Sequence, residues 1–290
     1  MSGTTLAEAL AAARRRLSEA GIADAAHDAR LLIAGLLKLP STAFVIDGAR
    51  LLDPSEKAAI DEALARREAR EPVHRILGHR AFSRLDLVLS PETLEPRPDT
   101  EILVDALVPH ARKIVAEKGA CRILDLGTGT GAICLALLDL VPGTAGLGAD
   151  YSPGALETAR RNADINGVAD SFETVESDWF SAVTGAFDII VSNPPYIVRS
   201  VVGTLEEDVR LYDPILALDG GEDGLDAYRA IAAGAGDHLR ENGLVAYEIG
   251  YDQKETVTAI MRENGFARIE AVQDFGGNDR VLVFSKETSV

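Results

Sequence analysis

Apolar and polar residues recur along this chain at two different periods, and the places where the period changes divide it. Over residues 1–72 the spacing is helical. Leu6, Leu10 and Leu17 share one face of a helix that Thr5 and Glu8 open as a capping box and Gly21 stops. A second helix starts near Asp24, carries Leu31, Leu32, Leu36 and Leu37, and ends before Pro40. Asp53-Pro54-Ser55-Glu56 announces a third, an N-cap followed by proline at the first helical position, which ends before Glu71-Pro72. Over 73–96 the period shortens: Phe82, Leu85, Leu87 and Leu89 alternate with polar residues around Ser83-Arg84, the pattern of a β-hairpin joining two domains. Over 97–290 short apolar runs alternate with helical stretches. The pattern predicts strands near 122–126, 145–150, 171–175, 187–191, 243–249, 268–272 and 280–284, with helices near 99–118, 131–140, 153–166, 224–241 and 251–264. Such alternation predicts a doubly wound α/β domain. The last two strands have no helix between them, so one of them is expected to run antiparallel.

Composition narrows the class. A length of 290 residues with 47% hydrophobic residues suits one sizeable domain with a smaller companion. The formal charge of −17 disfavours tight, nonspecific binding to a phosphate backbone. Arg14-Arg15-Arg16 and Arg66-Arg67-Glu68-Ala69-Arg70 are the basic clusters, and both read as solvated helix faces. No apolar run approaches the ~20 residues that span a bilayer, and Met1 to Ala20 alternates alanine with charge, so a cytoplasmic chain is expected. Cys121 and Cys134 lie in apolar segments and read as buried free thiols. The five histidines are scattered singly, His74 and His79 beside the hairpin, and no metal site is expected.

Chemistry concentrates in two stretches. The apolar run 187–191 is followed by Ser192-Asn193-Pro194-Pro195-Tyr196, where two prolines end the strand and hold Asn193 extended. Its carboxamide and the free carbonyls of Asn193 and Pro194 then suit a planar NH2 group, whose two protons they accept beside the Tyr196 ring. The bland alternative is a proline-ended strand leading into a surface loop. Upstream, 123–131 reads as strand, glycine-rich turn and helix start. Gly127 and Gly129 permit a tight turn and close approach of a ligand, and the helix opening near Gly131 offers N–H groups to an anion. Asp150, at the end of the next strand, is placed to grip ribose hydroxyls. With Ala132 the turn also satisfies a loose G-x-G-x-x-[GA], which keeps a nicotinamide cofactor open.

Taken together, Asp125, the G-x-G-x-G turn, Asp150 and Asn-Pro-Pro-Tyr resemble the class I S-adenosylmethionine-dependent methyltransferases. Pro72 to Leu89, Pro96-Arg97-Pro98-Asp99-Thr100-Glu101, Ser177-Asp178-Trp179-Phe180, Leu216-Ala217-Leu218-Asp219-Gly220-Gly221, Glu248-Ile249-Gly250 and Asp279-Arg280-Val281 narrow the resemblance to the release factor glutamine methyltransferase family. That resemblance implies an α/β fold: a doubly wound, seven-stranded, Rossmann-like class I methyltransferase sheet over 97–290, with a β-hairpin linker over 73–96; the small N-terminal helical domain over 1–72, too small for catalytic machinery of its own, reads as a substrate-recognition module or else as structural padding. It implies S-adenosyl-L-methionine as cofactor, held by Asp125, Gly127, Thr128, Gly129, Thr130, Gly131, Asp150, Asp178, Trp179 and Asn193. The implied target is a glutamine of a peptide chain release factor, bound by Asn193, Pro194, Pro195 and Tyr196, with Asn193, Pro194 and Tyr196 as the catalytic set. No direct nucleic acid or membrane partner is implied. Glu206-Glu207-Asp208 and the 220–224 stretch read as a segment that closes over bound peptide. One departure is Glu95, an acid where the family has an apolar residue. A ribosomal-protein glutamine methyltransferase shares the chemistry, and an adenine-N6 methyltransferase would call for a basic face. An oxidoreductase or noncatalytic nucleotide-binding module would leave Asn193 to Tyr196 unexplained.

Overall fold

A computed structural model describes residues 3–40 and 42–287, which cluster into two compact units. The first comprises the described residues of Met1–His79 together with Glu206–Tyr212. Helix α1 (Leu6–Glu19) opens at Thr5, whose hydroxyl accepts from the Glu8 amide at 3.2 Å while the Glu8 carboxylate accepts from the Thr5 amide at 2.8 Å. Helix α2 spans Ala25–Leu37, α3 spans Ala43–Ile46, and α4 (Pro54–Glu68) opens on a second reciprocal cap between Asp53 and Glu56. Leu6, Leu17, Leu32, Ile33 and Leu64 fill the core between them. Two features differ from the sequence expectation. Val73–Leu77 forms a helix, α5, so the hairpin begins later than residue 73: Val73 and Ile76, three apart, both turn into this core, and Gly78 at φ 80° ends the turn. Arg67 is 9% exposed and pairs with Asp28 at 2.8 Å, so that arginine cluster is not wholly a solvated face.

The second unit holds Arg80–Leu205 and the described residues of Asp213–Val290. Strands β1 (His79–Phe82) and β2 (Leu85–Val88) form the hairpin, and helix α6 spans Thr100–Lys118. There follow β3 (Cys121–Leu126), α7 (Ala132–Leu140), β4 (Thr144–Asp150), α8 (Pro153–Ile165), β5 (Phe172–Glu176), β6 (Phe187–Ser192) and the short α9 (Arg199–Val202). Helix α10 (Glu207–Tyr212) belongs to the first unit: the Tyr212 hydroxyl donates to the Ala69 carbonyl at 2.9 Å, and Asp208 and Glu207 lie 3.9 and 3.6 Å from Arg67 and Arg70. Of the acids of 206–208, expected in a closing segment, Glu207 and Asp208 thus meet arginines of the helical unit. Helix α11 (Asp226–His238), β7 (Leu239–Glu248), α12 (Lys254–Glu263), β8 (Phe266–Gln273) and β9 (Asp279–Lys286) complete the chain.

The seven strands are ordered β5-β4-β3-β6-β7-β9-β8, and β9 runs antiparallel to both neighbours, as the missing last helix requires. Side chains of β3 alternate between two core layers: Ile123 joins Leu103, Leu107 and Ile133 on one face, while Leu124 and Leu126 join Tyr228, Ile231 and Met261 on the other. Burial on both faces is why β3 and β6 are mostly apolar, interrupted by Arg122 and Asp125 in β3 and by Asp188 in β6. Strand order reverses between β3 and β6, and in such sheets the crevice beyond the strand carboxyl ends takes the ligand. Both cysteines are buried and free. Among the described residues no helix is long and apolar enough to cross a membrane.

Candidate active site

The two chemistry-bearing stretches leave adjacent strands at the same edge. Asp125 lies beside Val191 in the parallel register, so the glycine turn after β3 and the Asn-Pro-Pro-Tyr segment after β6 emerge side by side, and the Ser192 hydroxyl ties them by donating to the Leu126 carbonyl at 2.6 Å. Gly127, Gly129 and Gly131 all have positive φ, at 70°, 55° and 82°. They do two different jobs. A Cβ on Gly127 or Gly129 would meet nothing within 4 Å, whereas one on Gly131 would run into Leu135 at 2.9 Å. Gly131 therefore serves close packing at the start of α7, and the other two keep the turn's open side free for a ligand.

The acids around this turn are held by its own donors. The Thr128 hydroxyl donates to Asp125 Oδ2 at 2.8 Å, and the Cys134 amide approaches the same oxygen at 3.4 Å. Asp125 Oδ1 is buried without a partner, and burial pushes this carboxyl up to about 7. Asp150 accepts from the Gly129 amide at 2.8 Å through Oδ2 and from the Ser152 amide at 2.9 Å through Oδ1. Burial raises its pKa, and those backbone donors oppose the rise. Asn162, fully buried on α8, braces the turn from behind: its amide donates to the Thr130 carbonyl at 2.9 Å and accepts from the Val88 amide at 2.7 Å, which ties the hairpin to the same turn.

On the other side, the half-buried Asn193 donates from Nδ2 to Thr100 Oγ1 at 3.2 Å, and the Thr100 hydroxyl donates to Glu248 Oε2 at 2.6 Å. Tyr196 packs against the second core layer, its carbonyl accepts from Gln253 at 3.1 Å, and burial pushes its phenol up. Trp179 has φ 48°, with its carbonyl accepting from the Ser177 hydroxyl at 2.8 Å, and Asp178 is exposed.

Between these groups lies a cavity of about 840 Å³. Of the residues singled out in the sequence, Gly127, Thr128, Gly129, Thr130, Asp150, Asp178, Trp179, Asn193 and Pro195 line it, while Asp125, Gly131, Pro194 and Tyr196 stand outside the lining. Arg97 also lines it and pairs with Asp213 at 2.5 Å. Glu95 is 4% exposed and pairs with Arg80, which explains an acid at a buried position. Sequence reasoning assigned no role to Thr100, Asn162 or Glu248. The one signal was that Glu248 ends an apolar run where a charge must find a partner. The open side of Gly127 and Gly129 and the amides at the start of α7 suit a carboxylate, Asp150 suits ribose hydroxyls, and Asp125, buried behind the turn with one oxygen unpartnered, supplies negative charge that suits an ammonium group. These features fit S-adenosyl-L-methionine, which carries all three groups that they call for.

Comparison with known proteins agrees with this geometry. Residues 8–78 match the family model described as PrmC N-terminal domain, and residues 97–206 match Methyltransferase small domain. A release factor glutamine methyltransferase of Agrobacterium fabrum is 55% identical over 289 residues, 99% of this chain and 100% of that protein. One from Rhodospirillum rubrum is 46% identical, over 92% of this chain and 81% of its own. Among solved structures, a methyltransferase from Pyrococcus furiosus superposes with a TM-score of 0.53 at 21% identity, over 81% of this chain and 100% of its own, which is a likeness of fold.

Proposed function

Because the chain belongs to the release factor glutamine methyltransferase family, we propose that this cavity is where a release factor glutamine meets the methyl donor. The protein is an S-adenosyl-L-methionine-dependent methyltransferase that acts on the side-chain amide nitrogen, N5, of glutamine. The observation that carries the residue assignment is that the open glycine turn and the Asn193 carboxamide face one cavity.

When bound, S-adenosyl-L-methionine supplies an electrophilic methyl group on a sulfonium centre. Gly127, Thr128, Gly129, Thr130 and the start of α7 would hold the methionyl end, with the charge of Asp125 favouring its ammonium, while Asp150 would hold the ribose and Trp179 and Asp178 would border it. An amide nitrogen is a weak nucleophile because its lone pair is delocalised into the carbonyl. The Asn193 carboxamide oxygen and the Pro194 carbonyl accept the two protons of the target NH2, draw electron density onto its nitrogen and aim it. Pro195 borders the glutamine, and Tyr196 stiffens the segment from its packed position. The nitrogen's proton becomes acidic only as the methyl bond forms, so no strong base is needed beforehand. We place the reaction in the cytoplasm, where translation terminates. The decisive experiment incubates purified release factor, ribosomal protein and nucleic acid separately with labelled cofactor, followed by mass spectrometry; a methyl group on a release factor glutamine is expected, and label on adenine alone would overturn the reading.

Asp150 sets the cofactor prediction. Asp150→Ala removes the ribose acceptor and unpairs the Gly129 and Ser152 amides, so S-adenosyl-L-methionine affinity measured by calorimetry should fall by about 1–3 kcal/mol. Undiminished affinity would take Asp150 out of the site. The helical unit sets a second. It exposes Val45 and Ile46 at 83% and 76%, and we assign that patch to recognition of the release factor. Val45→Asp with Ile46→Asp should raise KM for the intact factor roughly tenfold but leave turnover of a short glutamine peptide unchanged. An unchanged KM on the intact factor would remove this face from recognition.

A further inference from the structure

Glu248 closes β7 with 1% of its surface exposed, beyond the lining of the cavity, yet its carboxylate reaches the site both through the Thr100 hydroxyl and by a hydrogen bond from the Asn193 side chain itself. The Thr100 hydroxyl, at the first turn of α6, donates to Glu248 Oε2 at 2.6 Å and accepts from Asn193 Nδ2 at 3.2 Å. A hydroxyl has a single proton. With that proton committed to Glu248, Thr100 presents only lone pairs to Asn193 and must face the NH2 end of the carboxamide. The carboxamide oxygen is thereby turned the other way.

This polarity decides function, because a carboxamide is nearly isosteric about its last torsion and a broad, roughly two-fold rotor left to itself. In one orientation it offers the target NH2 an acceptor. In the other it offers a second donor, and donor meets donor. We propose that Glu248 and Thr100 are positioning residues that hold the Asn193 carboxamide with its oxygen toward the substrate. The inference rests on the reading that Asn193 accepts from the target amide.

Ionisation of Glu248 sets the direction of the relay. Burial pushes this carboxyl up to about 7; hydrogen bonds from Thr100 and Asn193 and the charge of Arg280 on β9 oppose the rise, while Asp99 before α6 adds to it. Tyr196 and Tyr228 face it from the β6 segment and from α11, both as neutral phenols whose own pKa values are raised. Ionised Glu248 can only accept, which keeps the Thr100 proton on its side. Protonated, it donates to Thr100, and the freed hydroxyl proton turns toward Asn193 and favours the carboxamide oxygen instead. The oriented state is therefore half-formed near pH 7, approaches completion as pH rises above that value and is lost as pH falls below it.

The test uses the full-length protein, with single-turnover methylation of release factor beside cofactor titration and thermal melting. Thr100→Val should slow transfer by about ten- to a hundredfold with cofactor Kd within about twofold of the parent, and Thr100→Ser should restore the rate to within about threefold. Glu248→Gln, which both donates and accepts, should be slower at pH 8 and lose the rise in rate that the parent shows between about pH 6 and 8. Adding Thr100→Val to Asn193→Ala should cost nothing beyond Asn193→Ala alone, since both remove one interaction. Thr100→Val at the parental rate would overturn the proposal, and so would Thr100→Ser as slow as Thr100→Val. If Thr100→Val does not fold, the Glu248→Gln profile and the Thr100→Ser rate decide. Asn193→Ala at the parental rate would instead sink the underlying reading; a slow Asn193→Ala beside a fast Thr100→Val sinks this inference alone.

Discussion

Replacing Asn193 by alanine is expected to slow methyl transfer by on the order of a hundredfold or more while leaving the fold and most of the cofactor affinity intact, the scale seen when one preorganised polar contact is removed. The fold should survive because the packing of β6 ends at Ser192: residues Phe187–Ser192 are all buried, whereas Asn193 is half-buried and its side chain bonds to Thr100 instead of the core. Asn193→Asp is the sharper variant. A carboxylate keeps an acceptor toward the target NH2, but adds a charge near the sulfonium and cannot donate to Thr100 while ionised. Partial activity is expected, between that of the parent and that of Asn193→Ala. Single-turnover rates on release factor, paired with cofactor titrations, separate the chemical step from binding. An Asn193→Ala protein that turns over at the parental rate would reduce Asn193 to Tyr196 to a proline-ended strand.

The parts of this molecule that were legible in the sequence are those with local physical causes. The capping boxes at Thr5 and Asp53 are spaced as their helices need, and both form. Strands β3 and β6 declare themselves because burial on both faces keeps them mostly apolar, and the antiparallel β9 follows from the absence of a helix after β8. Short elements were not legible. The four residues of α3 are too few to show a period, and α5 lay inside a stretch whose Leu and Phe alternation suggested strand. In the site, the glycine turn, Asp150 and Asn193 were legible because each sits at a strand end. The Glu248–Thr100–Asn193 relay was not: Thr100 and Glu248 both stand in stretches that mark the family, but they are 148 residues apart and nothing in those stretches says that the two side chains meet. Nor does sequence separate the three glycines of the turn, although Gly131 answers to a packed leucine and Gly127 to open space.

That separation supports the second large effect. Gly127→Val is expected to lower affinity for S-adenosyl-L-methionine by roughly a hundredfold, about 2.7 kcal/mol, through its side chain, and separately to lower stability through its backbone. A β-branched residue at φ 70° is strained by about 1–3 kcal/mol, which alone lowers stability without touching the ligand. The added side chain also projects into space that the protein leaves open, on the side where the turn lines the cavity. Gly167 provides the internal control. Its φ is 71°, a Cβ there would likewise meet nothing within 4 Å, and it is exposed in the turn after α8, outside the cavity lining. Gly167→Val should therefore melt at a temperature lowered to a similar extent as Gly127→Val, yet bind the cofactor with parental affinity. The comparison takes two melting curves and two titrations. Equal cofactor affinities in the two variants would show that Gly127 answers only to backbone geometry, and the methionyl end of the cofactor would then have to lie away from the turn.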